Sequence, residues 1–113
     1  MEHLPSYNEE DLLRQLAEGS EAAFTAIFHR YRGRLYHYIF TITASREMAE
    51  DTVHDVFLKI WNNREKLADI SNMNAYLFRV CHNQAVSGLR RMAKEILILS
   101  ELRQETIPFL PDA

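Results

Sequence analysis

The sequence predicts an all-α fold of about four helices, and three observations predict it. Only three glycines and three prolines occur in 113 residues, and Pro5, Pro108 and Pro111 all sit outside the periodic stretches, so nothing breaks the middle of the chain. Across that middle, apolar residues return at steps of three and four, the period of a helix that buries one face. Length and a 47% apolar content bound the chain to one compact domain with a single modest core. The organisation that follows is a helical domain over residues 1–100 and a linker or tail over 101–113, with no internal repeat and no low-complexity tract.

The first helix begins at Asn8, an N-cap followed by Glu9, Glu10 and Asp11, whose carboxylates meet the positive end of the helix. Leu12, Leu13 and Leu16 give it a short apolar stripe, enough to dock on a larger helix, and Gly19 closes it. Ser20 caps a second, longer helix in which Phe24, Ile27, Phe28, Tyr31, Leu35, Tyr38, Ile39 and Ile42 keep the helical period, so this is the spine of the domain. Gly33 lies inside it, where it allows either a bend or a close helix crossing. Ser45 caps a third helix with a core stripe of Met48, Thr52, Val53, Val56, Phe57, Ile60 and Trp61. Its other side carries Asp51, His54, Asp55, Leu58 and Asn62 at helical spacing, a leucine set in an acidic rim, which is the makeup of a small contact patch. A polar connection, Asn62 to Asn74, leads to the fourth helix with candidate caps at Ser71, Asn72 and Asn74.

The fourth helix divides by chemistry when wound at 3.6 residues per turn. Leu77, Phe78, Cys81, Ala85, Leu89, Met92 and Ile96, with Gly88 among them, form its core side. Tyr76, Arg79, Asn83, Ser87, Arg90, Arg91 and Lys94 form a cationic stripe with an amide, a hydroxyl and an aromatic ring, suited to phosphates along its length and to bases at Asn83. A solvated helix face is the bland alternative. After Ser100 the apolar period decays into a tail.

The net charge of −3 hides an uneven spread. Glu9, Glu10, Asp11, Glu47, Glu50, Asp51 and Asp55 make the first half acidic, whereas Arg79, Arg90, Arg91 and Lys94 face only Glu95 between Asn72 and Ser100. One molecule therefore offers an acidic face to one partner and a basic face to another. The lone Cys81 falls on the core side and reads as a buried thiol. No stretch reaches the roughly 18 apolar residues that a membrane span needs, and no leader pattern opens the chain, so a soluble cytoplasmic protein without membrane insertion is expected. His3, His29, His37, His54 and His82 form no HExxH pattern, and Asp51 with Asp55 has no nucleophile or glycine-rich loop beside it. Neither catalysis, nor a metal, nor any cofactor is expected.

AEDTVHDVFLKIW (Ala49 to Trp61) and NAYLFRVCHNQAVSGLRR (Asn74 to Arg91), preceded by EAAFTAIFHRYRGRLY (Glu21 to Tyr36), together resemble regions 2.1 to 2.4 of the sigma-70 family of bacterial transcription initiation factors, in its extracytoplasmic-function (ECF) group. The resemblance covers about residues 8 to 100. It implies a promoter-specificity subunit that docks on the clamp helices of the RNA polymerase β′ subunit and captures the non-template strand of the −10 element as it melts. By position the clamp contact falls on Asp51, His54, Asp55 and Leu58, the strip already singled out. The resemblance also implies that the loop before the fourth helix and that helix hold a flipped base, which matches Asn72, Met73, Asn74 and Asn83, with Tyr76 as a stacking wall or a packing residue. Arg79, Arg90, Arg91 and Lys94 would follow the phosphates.

The chain departs from the family pattern at His54, where glutamine is common, and at Ser87, where aspartate is common. The first brings a side chain that ordinarily titrates near 6.5 into the clamp contact, and the second removes a negative charge from the basic stripe. The chain stops at Ala113 in what reads as a connecting linker, so the −35-reading domain of such factors is not expected. A competing reading keeps the fold and changes the role, to a helical interaction module that binds an anti-sigma factor or itself and does not use DNA.

Overall fold

The computed structural model describes residues 8–106, with side chains described as far as Gln104. Pro5, Pro108, Pro111 and His3 lie outside the described residues, as does the end of the expected tail. Four α-helices form: α1 (Glu9–Ala17), α2 (Glu21–Thr43), α3 (Arg46–Asn62) and α4 (Met73–Thr106), with a 3-10 helix, Arg64–Asp69, between α3 and α4. The described residues contain no strand.

Each α-helix starts where a side-chain oxygen can accept one of the backbone N–H groups that its first turn leaves unpaired. Asn8 Oδ1 accepts from Glu10 N at 2.8 Å, Ser20 Oγ from Ala23 N at 3.0 Å, Ser45 Oγ from Met48 N at 3.1 Å and Asn72 Oδ1 from Ala75 N at 3.0 Å. The first three caps are those expected, and Asn72 is the one selected from three candidates for the fourth. Gly19, at φ +95°, ends α1 in the left-handed region that favours glycine. α2 ends on Ala44 at φ 55°, a non-glycine residue holding the same kind of conformation.

The core is one cluster to which every helix contributes. Leu12, Leu13 and Leu16 of α1 are buried with Ile27, Tyr31, Leu35 and Ile39 of α2, Val56, Phe57 and Ile60 of α3, and Leu77, Cys81 and Ala85 of α4. α2, α3 and α4 pack on one another, while α1 rests on α2 and on the 3-10 helix. A tether holds α1 down: the buried Tyr31 hydroxyl donates to Glu9 Oε2, and Arg30 Nη1 lies 3.6 Å from the same oxygen. Burial, the hydrogen bond to Glu9 and its negative charge push Tyr31 up to about 12. Burial alone pushes the Cys81 thiol up to about 12, so this cysteine is the inert thiol expected from its place on the helix.

Two expectations are corrected. The Asn62 to Asn74 connection is not merely polar: its 3-10 helix sends Leu67 into the core, 2% exposed. The core side of α4 also ends sooner than its apolar period, since Met92 and Ile96 are 40% and 58% exposed. The reason is length. α4 has 34 residues, about 51 Å at 1.5 Å per residue, against 23 in α2 and 17 in α3. It overshoots the layer that covers it, stays helical to Thr106 where a tail was expected after Ser100, and gives the molecule its extents of 73 × 23 × 20 Å.

Candidate protein and nucleic-acid interface

On α3, the period that buries Val53, Val56, Phe57 and Ile60 turns Asp51, His54, Asp55 and Leu58 outward, and all four are exposed. Leu58 is 50% exposed and stands on an aromatic floor. Phe57 beneath it meets Phe28 edge-on at 4.9 Å between ring centroids, and Phe24 packs on Trp61 at 5.2 Å. Phe24, Thr25 and Phe28 of α2 join His54, Phe57 and Leu58 around a hollow of about 290 Å³. A second hollow of about 420 Å³, which includes Phe28, Arg32, Tyr36 and Glu50, adjoins the other side of His54. The strip is thus one wall of an α2–α3 surface. Phe24 and Phe28 were readable only as core, because helical period assigns a face and does not say how deep that face is covered.

On α4, Arg79, Asn83, Ser87, Arg90 and Lys94 are exposed on the side away from Leu77, Cys81 and Ala85. The ion pairs among the described residues, Arg14–Asp11 and Arg30–Glu9, involve none of its cations. Tyr76 is half-buried, with the Arg79 guanidinium 5.7 Å from its ring centroid. At the start of the stripe Asn72 and Asn74 are exposed. Asn72 spends its carbonyl oxygen on the cap and keeps its NH₂ group available. Met73 does not join them: it is 2% exposed, drawn into the core as the first residue of α4, so only its backbone is left for a ligand.

The two charged faces adjoin instead of lying apart. Gly88 brings α4 close to α3, where a Cβ in its place would meet Met48 Cε at 3.2 Å. Beside that crossing Asp51 and Asp55 share a hollow of about 300 Å³ with Gln84, Arg91 and Glu95. Arg91 therefore sits at the junction, on the α3 flank of the stripe and not on its outer line. On the other flank, Arg34, His37, Tyr38 and Thr41 of α2 and Phe78 of α4 surround an apolar hollow of about 420 Å³, next to a Tyr38–His82 hydrogen bond of 3.0 Å. Sequence spacing pairs residues within a helix, so it had no means of joining these across two.

Among the described residues no three His, Cys, Asp or Glu side chains converge as a metal site, and no helix is long and apolar enough to cross a membrane. An exposed leucine among carboxylates on α3 and, beside it, a cationic helix that begins with asparagine amides have the makeup of surfaces that suit protein and nucleic acid respectively.

The sigma-70 region 2 family matches residues 27–95, and the chain belongs to that family. Relatives that match it are ECF sigma factors. An ECF RNA polymerase sigma factor SigK of Mycolicibacterium vanbaalenii is 30% identical over 80 residues, which are 70% of this chain and 41% of that protein. A SigK of a Mycobacterium species has the same identity over 42% of its length, and that of Mycobacterium tuberculosis is 25% identical over 43%. The chain thus spans about two fifths of the length of these curated relatives. No solved structure matches it.

Proposed function

We propose that this chain is the promoter-opening domain of an ECF sigma factor in bacterial transcription initiation, acting in the cytoplasm on RNA polymerase and promoter DNA. The observation that carries the proposal is the α4 stripe: Arg79, Arg90 and Lys94 exposed and outside any described ion pair, on the helix whose start exposes Asn72 and Asn74. Asp51, His54, Asp55 and Leu58 dock on the β′ clamp helices, where carboxylates steer a basic coiled coil at long range and Leu58 packs at short range. The melted non-template strand of the −10 element runs along α4, its phosphates on Arg79, Arg90, Lys94 and, at the flank, Arg91. A base turned out of the stack is held by the Asn72, Asn74 and Asn83 amides with the Tyr76 ring beside it. Unstacking costs a few kcal/mol, which amide hydrogen bonds and a stacking wall offset. Ser87 leaves the middle of the stripe without a negative charge, which favours phosphate there.

The test is fluorescence anisotropy with two probes, a β′ clamp-helix peptide and a single-stranded −10 oligonucleotide, at low and moderate salt. Asp51→Ala with Asp55→Ala should abolish peptide binding without weakening DNA binding. Arg79→Ala with Arg90→Ala should do the reverse, lowering the DNA salt slope by about 0.7 per lost phosphate contact on a single strand. Peptide binding without any DNA binding at low salt would refute the DNA half and leave a protein-interaction module.

A further inference from the structure

Where α2 meets the first half of α4, neither helix brings a carboxylate: the sequence has no Asp or Glu from Ala22 to Arg46 or from Ile70 to Lys94. On that flank Arg34, His37, Tyr38, Thr41 and Phe78 surround the hollow of about 420 Å³, which the strand path along α4 leaves unused. Its walls are aromatic and fixed. The Tyr38 and Phe78 rings stand 5.2 Å apart at 73°, and the Tyr38 hydroxyl is hydrogen-bonded to His82 Nδ1 at 3.0 Å. Two rings set nearly at right angles form a corner, in which a flat third ring stacks on one and meets the edge of the other. At the rim Arg34 and His37 are exposed. The Arg34 guanidinium lies over the buried Tyr31 ring, 4.7 Å from its centroid, and takes part in neither described ion pair. A guanidinium stacked by its face keeps its N–H edge open to an anion.

We infer that this α2–α4 hollow is a second nucleotide subsite, taking one base of the single strand against Tyr38 and Phe78 and the adjoining phosphate on Arg34 and His37, a reading that rests on the α4 stripe as the path of the strand. Charge names the occupant. Aromatic walls rimmed by cations, without a carboxylate, suit a polyanion that carries flat rings and disfavour a basic protein segment. Position agrees with it. Phe78 lies about 7.5 Å before Asn83 along the helix axis at 1.5 Å per residue, and Arg79 and His82 are exposed between them, so a strand held at Asn83 has a short, cation-lined way across α4. Every base has a flat face to stack. The subsite therefore adds affinity and fixes the register of the strand, with little choice among bases.

The test is an abasic walk: a −10 single strand with one base removed at each position in turn, its binding to the whole chain read by anisotropy. The native, Phe78→Leu and Asn83→Ala chains are compared, with circular dichroism to verify the folded body. Removing the base that enters the hollow should weaken native binding about fivefold or more. Phe78→Leu keeps an apolar side chain and loses the ring, so it should erase the sensitivity at that one position, whereas Asn83→Ala should leave it in place. Arg34→Gln is a second, independent measure and should lower the salt slope by about 0.7, one phosphate contact on a single strand; where Phe78→Leu disturbs the fold, this slope decides alone. A walk that Phe78→Leu leaves unchanged at every position overturns the subsite and leaves the stripe standing, as does an unchanged slope in Arg34→Gln. A native chain that binds no single strand at low salt overturns both.

Discussion

Asn72 does two jobs, and substitutions can separate them. Its Oδ1 accepts from Ala75 N at 3.0 Å, which fixes the amide orientation and leaves the NH₂ group exposed beside the proposed base site. Asn72→Ala removes both the cap and the donor. Losing an asparagine cap costs about 1 kcal/mol, and for a domain of this size that lowers the melting temperature by about 4–8 °C. Asn72→Asp keeps an oxygen for Ala75 N and adds a favourable charge at the helix start, so its melting temperature should equal or exceed that of the native chain. The same change turns the donor into an acceptor and sets a carboxylate next to DNA. A lost hydrogen bond of this kind is worth about 0.5–1.5 kcal/mol, roughly a two- to thirteenfold loss in affinity for a −10 single strand, with the new charge adding to it at low salt. The assays are thermal denaturation followed by circular dichroism, and anisotropy with the oligonucleotide at two salt concentrations. If Asn72→Asp binds DNA as the native chain does, Asn72 is only a cap, and the base site as drawn here is refuted.

Ala44→Gly should stabilise the chain by about 0.5–1 kcal/mol, because Ala44 holds φ 55° at the end of α2 and a Cβ there is strained; an unchanged or lower urea midpoint would oppose this. Leu67→Ala should cost about 2–5 kcal/mol, since Leu67 is 2% exposed, and it should speed hydrogen exchange at Lys66 and Ile70, whose N–H groups are bonded within that 3-10 turn. Cys81 and Tyr31 are both raised on folding to about 12, from 9.0 and 10.0. The folded state resists forming thiolate and phenolate, so stability is full below about pH 9 and falls as pH climbs from there towards 12. Chemical denaturation at pH 8, 9.5 and 10.5 should show that decline, and a thiol reagent at pH 8 should reach Cys81 only as fast as the chain opens. Asp51→Ala with Asp55→Ala should bind single-stranded DNA somewhat more tightly than the native chain at low salt, with the gain fading as the Debye length falls to about 10 Å at 0.1 M.

What was legible in the sequence is what depends on one helix at a time. Caps at Asn8, Ser20 and Ser45, the stop at Gly19, and the outward turn of Asp51, His54, Asp55 and Leu58 all follow from spacing within a single element, and all are found. What was illegible depends on the lengths of neighbours. Met92 and Ile96 have the period of core residues, yet they are exposed because α2 and α3 do not extend that far. Met73 was placed with the DNA loop for its position between two asparagines, but a methionine one turn before Leu77 is also where the core stripe of α4 begins, and it is buried. Leu67 was hidden in a polar run, where a single apolar residue carries no period to detect. Gly33 was left between a bend and a close crossing; nothing lies within 4 Å of where its Cβ would be, which excludes the close crossing.

These differences converge on α4, which is one helix with three consecutive environments. Over its first turns Met73, Leu77, Cys81 and Ala85 are held by α2 and α3, so the residues between them are pointed outward by a rigid frame. A binding group gains from such a frame because little ordering remains to be done when the ligand arrives. Near Gly88 the helix leaves that frame, and the Asp51–Asp55–Arg91 hollow marks the exit. From Arg90 to Gln104 the described side chains are exposed, so Arg90 and Lys94 sit on a stretch of helix whose order depends largely on its own propensity unless a partner covers Ile96 and Leu99. The first cation of the stripe is therefore positioned by the fold, whereas the last two are positioned by whatever packs on the apolar stripe opposite them. Covering that stripe would stiffen the cationic line without touching it, so occupancy of the apolar face and affinity for phosphates should rise together.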